Sequence, residues 1–109
     1  MTQLKTVLLD FDAIHTVEDF HIAIQNLFGF PTFYGANFAA MVDCLSSLRI
    51  PEDEMSSITL HANEALLIDV KGYKSSKWEF MDLLLAASKQ VNQRELFRGK
   101  EKWLFFCFS

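Results

Sequence analysis

The run WLFFCF, residues 103–108, is apolar at every position. A strand with one solvated face alternates apolar and polar residues, so an unbroken run predicts a strand covered on both faces, as in a parallel or mixed sheet. Parallel pairs cannot be joined by tight turns; they need crossovers of a dozen residues or more, usually helices. The segments before this run should therefore alternate strands with helices. Ser76 and Glu79 have the S-x-x-E spacing of a capping box, and Trp78, Met81, Leu84, Leu85 and Val91 follow at helical intervals. That helix is expected to end near Val91 or Asn92, leaving a polar, basic loop or short helical extension up to Lys102. Upstream, SITLH (57–61) and ALLIDV (65–70) are separated by Ala62, Asn63 and Glu64 alone. They predict two strands joined by a short turn.

The N-terminal part repeats the logic. KTVLLDF (5–11) reads as a buried strand, and Thr16 then offers a helix cap with Asp19 three residues on. Val17, Phe20, Ile24, Leu27 and Phe28 keep helical spacing until Gly29, which suits a left-handed C-cap, and Pro31 prevents continuation. A second helix is expected from Asn37 to Leu48, followed by a loop at Pro51 and the acidic EDE. The order is β-α-α-β-β-α-β. It predicts a single α/β domain over residues 1–109, a small, mainly parallel sheet of three or four strands with about three helices.

Composition narrows the function classes. Half of the 109 residues are hydrophobic and eleven are Phe, which excludes a disordered chain and allows a core without disulfides or metals. No apolar run approaches the roughly 18 residues needed to cross a bilayer. MTQLKTVLLDFD lacks a signal-peptide pattern, so a cytoplasmic protein with no membrane partner is expected. Cys44 and Cys107 each lie in an apolar element and are expected as reduced core thiols. The net charge of −4 divides unevenly: residues 1–70 carry ten carboxylates against Lys5 and Arg49, and residues 71–109 carry eight basic groups against four acidic ones. Such a field orients a charged partner during encounter. The acidic part also argues against direct nucleic-acid binding, which needs clustered Lys and Arg.

Catalytic and metal-binding patterns are weak. His15, Glu18 and His21 straddle a helix start, and neither H-E-x-x-H nor paired C-x-x-C occurs, so no metal or cofactor is expected. Cys44 adjoins Asp43, whose charge raises a thiol pKa, and nothing in the sequence brings His61 to it as a base. No glycine-rich phosphate loop is present. A non-enzymatic protein is expected; catalysis through Cys44 or His61 is the weakest of the alternatives.

What remains is FYGANFAAMVDCLSSL, residues 33–48. Phe38, Met41, Val42, Leu45 and Leu48 form the apolar side of a helix. The other side has Ala36, Ala39, Ala40, Ser46 and Ser47 around a single carboxylate, Asp43. Small neighbours let a partner approach closely and exclude water around that charge, which is favourable only where cations meet it. Alternatively, the alanines simply favour the helix or pack against another element.

At these residues the sequence resembles the barstar family of intracellular ribonuclease inhibitors. The matching positions are Pro31, Tyr34, Gly35, Asn37, Ala40, Asp43, Cys44 and Leu45, with Phe33 in place of a tyrosine. The first strand and helix and the β-α-α-β order also agree. The C-terminal half resembles the longer members, with a hairpin-like insertion and a late helix before the last strand. The resemblance implies a loop and helix that plug the basic active site of a ribonuclease toxin, with Asp43 standing where RNA phosphate would lie. The implied partner-binding set is Phe33, Tyr34, Gly35, Asn37, Ala39, Val42, Asp43 and Ser46, with Asn37 equally explained as the helix cap. Family members have acidic residues where Ala36 and Ala39 stand here, tryptophan at Val42, and a late-helix glutamate without a secure counterpart near Ala86 or Ala87. These departures point away from barnase itself and toward another nuclease. The competing expectation is a barstar-like interaction module with a regulatory or assembly role and no nuclease target.

Overall fold

The computed structural model describes residues 3–31, 37–50, 56–61 and 63–108. The strands are β1 (Gln3–Asp10), β2 (Glu64–Lys71) and β3 (Leu104–Phe108); the helices are α1 (Val17–Phe28), α2 (Phe38–Ser46) and α3 (Trp78–Phe97). The sheet is parallel throughout in the order β1-β2-β3, registering Gln3 with Glu64 and Leu66 with Leu104. This is the expected α/β class with a three-stranded parallel sheet.

Strands placed side by side in chain order take both crossovers in the same direction, and right-handed crossovers then deposit every helix on one face. Burial follows that rule. Leu66, Ile68 and Val70 of β2 are fully buried with Leu9 and Leu104 beside them, whereas Leu4, Leu8, Phe105 and Cys107 on the opposite face are exposed. The expectations of a buried strand over residues 5–11 and of a strand covered on both faces over residues 103–108 are therefore corrected. Both strands are edges, and their outward residues have no helix above them. Cys107 is likewise exposed and not a core thiol. Slight desolvation beside β2, then the Asp69 carboxylate 3.6 Å from Sγ, hold its thiol pKa above the ordinary value.

The hairpin expected over residues 57–70 does not form. Ser57 N donates to Phe28 O at 2.9 Å, Leu60 N donates to Leu48 O at 2.8 Å, and Lys5 Nζ donates to Thr59 O at 3.1 Å. These partners lie in α1, in the 3-10 turn Ser47–Arg49 and in β1, so the segment docks as coil across the helix ends. Leu60 is buried by it, and His61 N meets Glu64 Oε1 at 2.8 Å where the chain turns into β2. The loop expected at Pro51–Glu54 lies outside the described residues, as does Ala62.

Helix ends follow local chemistry at α1 and depart from it at α3. Thr16 Oγ1 accepts from Asp19 N at 3.0 Å, while the Asp19 carboxylate accepts from His15 N at 3.1 Å. Gly29 closes α1 at φ 66°, and a Cβ there would lie 2.1 Å from Ser57 Oγ, so only glycine serves. The Ser76–Glu79 box is absent: Ser75–Lys77 form a 3-10 turn and the cap is Lys77, with no side-chain capping bond. Lys77 is instead buried with its Nζ 6.0 Å from the Phe80 ring centroid, and that Nζ donates to Ile14 O, tying α3 to the segment after β1. The helix also runs on to Phe97, past the expected stop at Val91 or Asn92. Its buried stripe continues in polar letters, Asn92 and Glu95, which apolar periodicity does not register.

Fully buried Phe20 stacks on Phe80 at 6.1 Å and on its other neighbour, His21, edge to face at 5.6 Å. Desolvation pushes the His21 imidazole below its ordinary pKa. The unfolded chain therefore binds a proton near pH 6.5 that the folded chain binds only at lower pH. Stability should fall as pH drops from 7.5 to 5.5. Thermal melts across that range should show the decline in the parent and a flatter profile in His21→Gln; equal slopes would place the proton linkage elsewhere.

Candidate functional site

The face of α2 turned to solvent is set by its cap and its core side. Asn37 is the N-cap, its Oδ1 accepting from Ala40 N at 2.8 Å. Met41, Val42, Cys44 and Leu45 are buried. Asn37, Ala39 and Asp43 are exposed, and Phe38, Ala40, Ser46 and Ser47 are half-buried. Val42, expected among the partner-binding residues, is 1% exposed and belongs to the core. Phe33, Tyr34 and Gly35 lie outside the described residues. Ala39, Asp43 and Ser46 thus share one strip of α2, with the Asp43 carboxylate as its single formal charge and Asn37 capping the end of the helix.

That carboxylate has a partner which the sequence did not announce. Arg94 reaches over from α3 and donates from Nη1 to Asp43 Oδ1 at 3.0 Å and to Ser46 Oγ at 3.1 Å. The Ser46 hydroxyl hydrogen is already committed to Val42 O at 2.7 Å, so its oxygen is left to accept from Arg94. Ser47 Oγ donates to Asp43 O at 3.2 Å, fixing the last turn of the helix. Both charged side chains keep solvent access, 42% for Arg94 and 65% for Asp43. The pair joins residues distant in sequence, and only the contrast between an acidic first part and a basic second part hinted at it.

Burial, then the Asp43 charge, raise the Cys44 thiol above its ordinary pKa, which suppresses a nucleophilic thiolate. Among the described residues, no three His, Cys, Asp or Glu side chains converge as metal ligands. No described helix is long and apolar enough to cross a membrane. A separate cleft of about 510 Å³ opens between α3 and the free edge of β3, floored by Leu85, Leu96 and Phe106 and flanked by Lys89 and Lys102.

The class so defined is an α/β protein with three helices on one face of a three-stranded parallel sheet, presenting one helix side with a central carboxylate. The family model described as Barstar (barnase inhibitor) matches residues 4–100, and the chain belongs to that family. At family level the role is inhibition of a ribonuclease, exerted on a protein partner. No curated protein matches the chain closely enough to stand as a relative.

Proposed function

We propose that the chain is an immunity protein, a cytoplasmic, non-enzymatic inhibitor of a ribonuclease toxin. Its α2 face and the preceding segment 33–36 occlude a basic active site, with Asp43 in the place of an RNA phosphate. The observation that carries this is Asp43 itself, an exposed carboxylate at the centre of α2, with Ala39 and Ser46 too small to keep a partner away. Asn37, capping the helix, holds the start of that surface in place. No metal or cofactor enters, since a carboxylate seated among the nuclease's cations blocks substrate phosphate by occupancy alone. A second possibility, an interaction module without a nuclease target, draws on the Asp43–Arg94 pair, which gives the carboxylate a structural partner.

Co-expression separates the two. Cells making secreted-type basic ribonucleases in the cytoplasm, barnase among them, should survive when the chain is co-expressed with at least one. The purified chain should then stop that enzyme from cleaving RNA without itself retaining labelled RNA at physiological salt. Death with every ribonuclease, or apparent inhibition that arises because the chain itself retains the labelled RNA, would overturn the inhibitor role.

A further inference from the structure

The carboxylate that α2 turns to solvent is already engaged by a cation of its own chain. We propose that Arg94 is a built-in competitor for Asp43, displaced by partner sites with several convergent cations and not by lone surface lysines or arginines. The proposal rests on the inhibitor role above and adds to it the residue that sets specificity.

Geometry makes the contact a fitted one. Two acceptors, Asp43 Oδ1 at 3.0 Å and Ser46 Oγ at 3.1 Å, converge on the same Nη1. The Ser46 oxygen is turned to accept because its hydrogen goes to Val42 O. Arg94 is anchored by its neighbours in α3, since Val91, Asn92 and Glu95 are buried. The next arginine, Arg98, is turned aside to Glu95 at 3.3 Å. The guanidinium is thus held over α2 by a fixed helix yet remains partly in water.

Magnitudes decide what such a pair does. An ion pair this exposed contributes a factor of about five at most to an equilibrium. One solvated cation on a passing protein offers Asp43 about the same, so exchange brings no net gain. A phosphate-binding pocket offers two or more cations in a desolvated site, where charge pairs are far stronger, and displaces Arg94 readily. Pairing also turns a net negative charge into a local dipole, which weakens long-range attraction to basic surfaces in general. A single intramolecular contact therefore lowers stickiness more than it lowers affinity for the proper site.

The test uses Arg94→Ala and Arg94→Gln of the full chain, the second keeping a shorter, polar side chain without charge. Binding is followed against barnase, against each ribonuclease from which the chain protects cells, and against cytochrome c as a basic protein without such a nuclease site. Both variants should bind a protected-against ribonuclease about 2- to 5-fold more tightly, mainly through faster association, with the gain shrinking at high salt. Both should also retain cytochrome c at low salt where the parent does not. Equal or weaker ribonuclease binding by both variants would overturn the competitor role and leave Arg94 as a support for Asp43. If neither parent nor variant binds any ribonuclease, the inhibitor role falls. Cytochrome c retention unchanged by the substitutions would overturn the screening role on its own.

Discussion

Asp43→Ala is expected to leave the fold intact and to weaken ribonuclease binding by about 2–5 kcal/mol or more, mostly as faster dissociation. That range is the general one for truncating one partner of a buried interfacial charge pair, the barnase–barstar complex included. On the folding side the losses are small. The Asp43–Arg94 contact is exposed and contributes about 0–1 kcal/mol, while alanine in place of aspartate adds a few tenths of helix propensity. The melting temperature should therefore move little. At the interface the effects add instead: the nuclease cations lose their anion, and Arg94, no longer paired, becomes a like charge pointed at them. Titration against a protected-against ribonuclease, with thermal melts alongside, reads both quantities. Unfolding of the variant would make the carboxylate structural, and unchanged binding would end its assignment as the phosphate mimic. Glu64, whose carboxylate works locally at His61 N, should be far less sensitive in binding than Asp43.

The largest effect on stability is expected at Trp103. This side chain is fully buried just before β3, with the Arg49 guanidinium 5.5 Å from its ring centroid. Its backbone N–H goes to Asn92 Oδ1 at 3.2 Å, and its carbonyl accepts from Leu66 N at 2.7 Å, so it seats the edge strand against both α3 and β2. Trp103→Ala leaves a large cavity and should cost about 3–5 kcal/mol. Among the described residues the indole Nε1 has no hydrogen-bond partner, so its buried donor adds no stability to the fold and carries a desolvation cost. Trp103→Phe should accordingly cost much less than Trp103→Ala, through lost volume alone. Denaturant unfolding of the two variants distinguishes packing from hydrogen bonding; equal costs would mean that the indole N–H is satisfied in solution.

The elements of the fold were legible because their signals are local. Thr16, Gly29 and Pro31 bracket α1, and Asn37 opens α2, each by a backbone requirement met by its side chain, its ring or, at Gly29, the lack of a Cβ. The errors have a common cause in tertiary partners. SITLH has strand composition, but its backbone groups are taken by Phe28, Leu48 and Lys5. Ser76 and Glu79 have capping spacing, but Lys77 is drawn to Ile14 O and the chain turns before the helix starts. Leu4, Leu8 and Phe105 have buried-strand composition on a sheet face that strand order leaves uncovered. At the site, helical arithmetic puts Asp43 about 140° from Phe38 and away from the apolar side. The same arithmetic puts Val42 on the core side, where it lies; only the resemblance implies it as a partner-binding residue. Arg94 was beyond reach, because no local pattern links a residue of α3 to one of α2.

The parallel sheet also governs when this protein comes into being. β1 pairs only with a strand that follows two helices, and β3, which completes the sheet, is translated after everything it pairs with. Among the described residues no hairpin offers an early nucleus, and sheets closed wholly by long-range contacts form slowly. On the ribosome α2 precedes both the central strand and α3, so Asp43 is made long before Arg94 and the support beneath them exist. A nascent chain has the sequence of the proposed docking helix without its scaffold. Protection of the kind proposed here therefore begins only after synthesis and folding are finished, and a producing cell has to make this protein ahead of the enzyme it restrains.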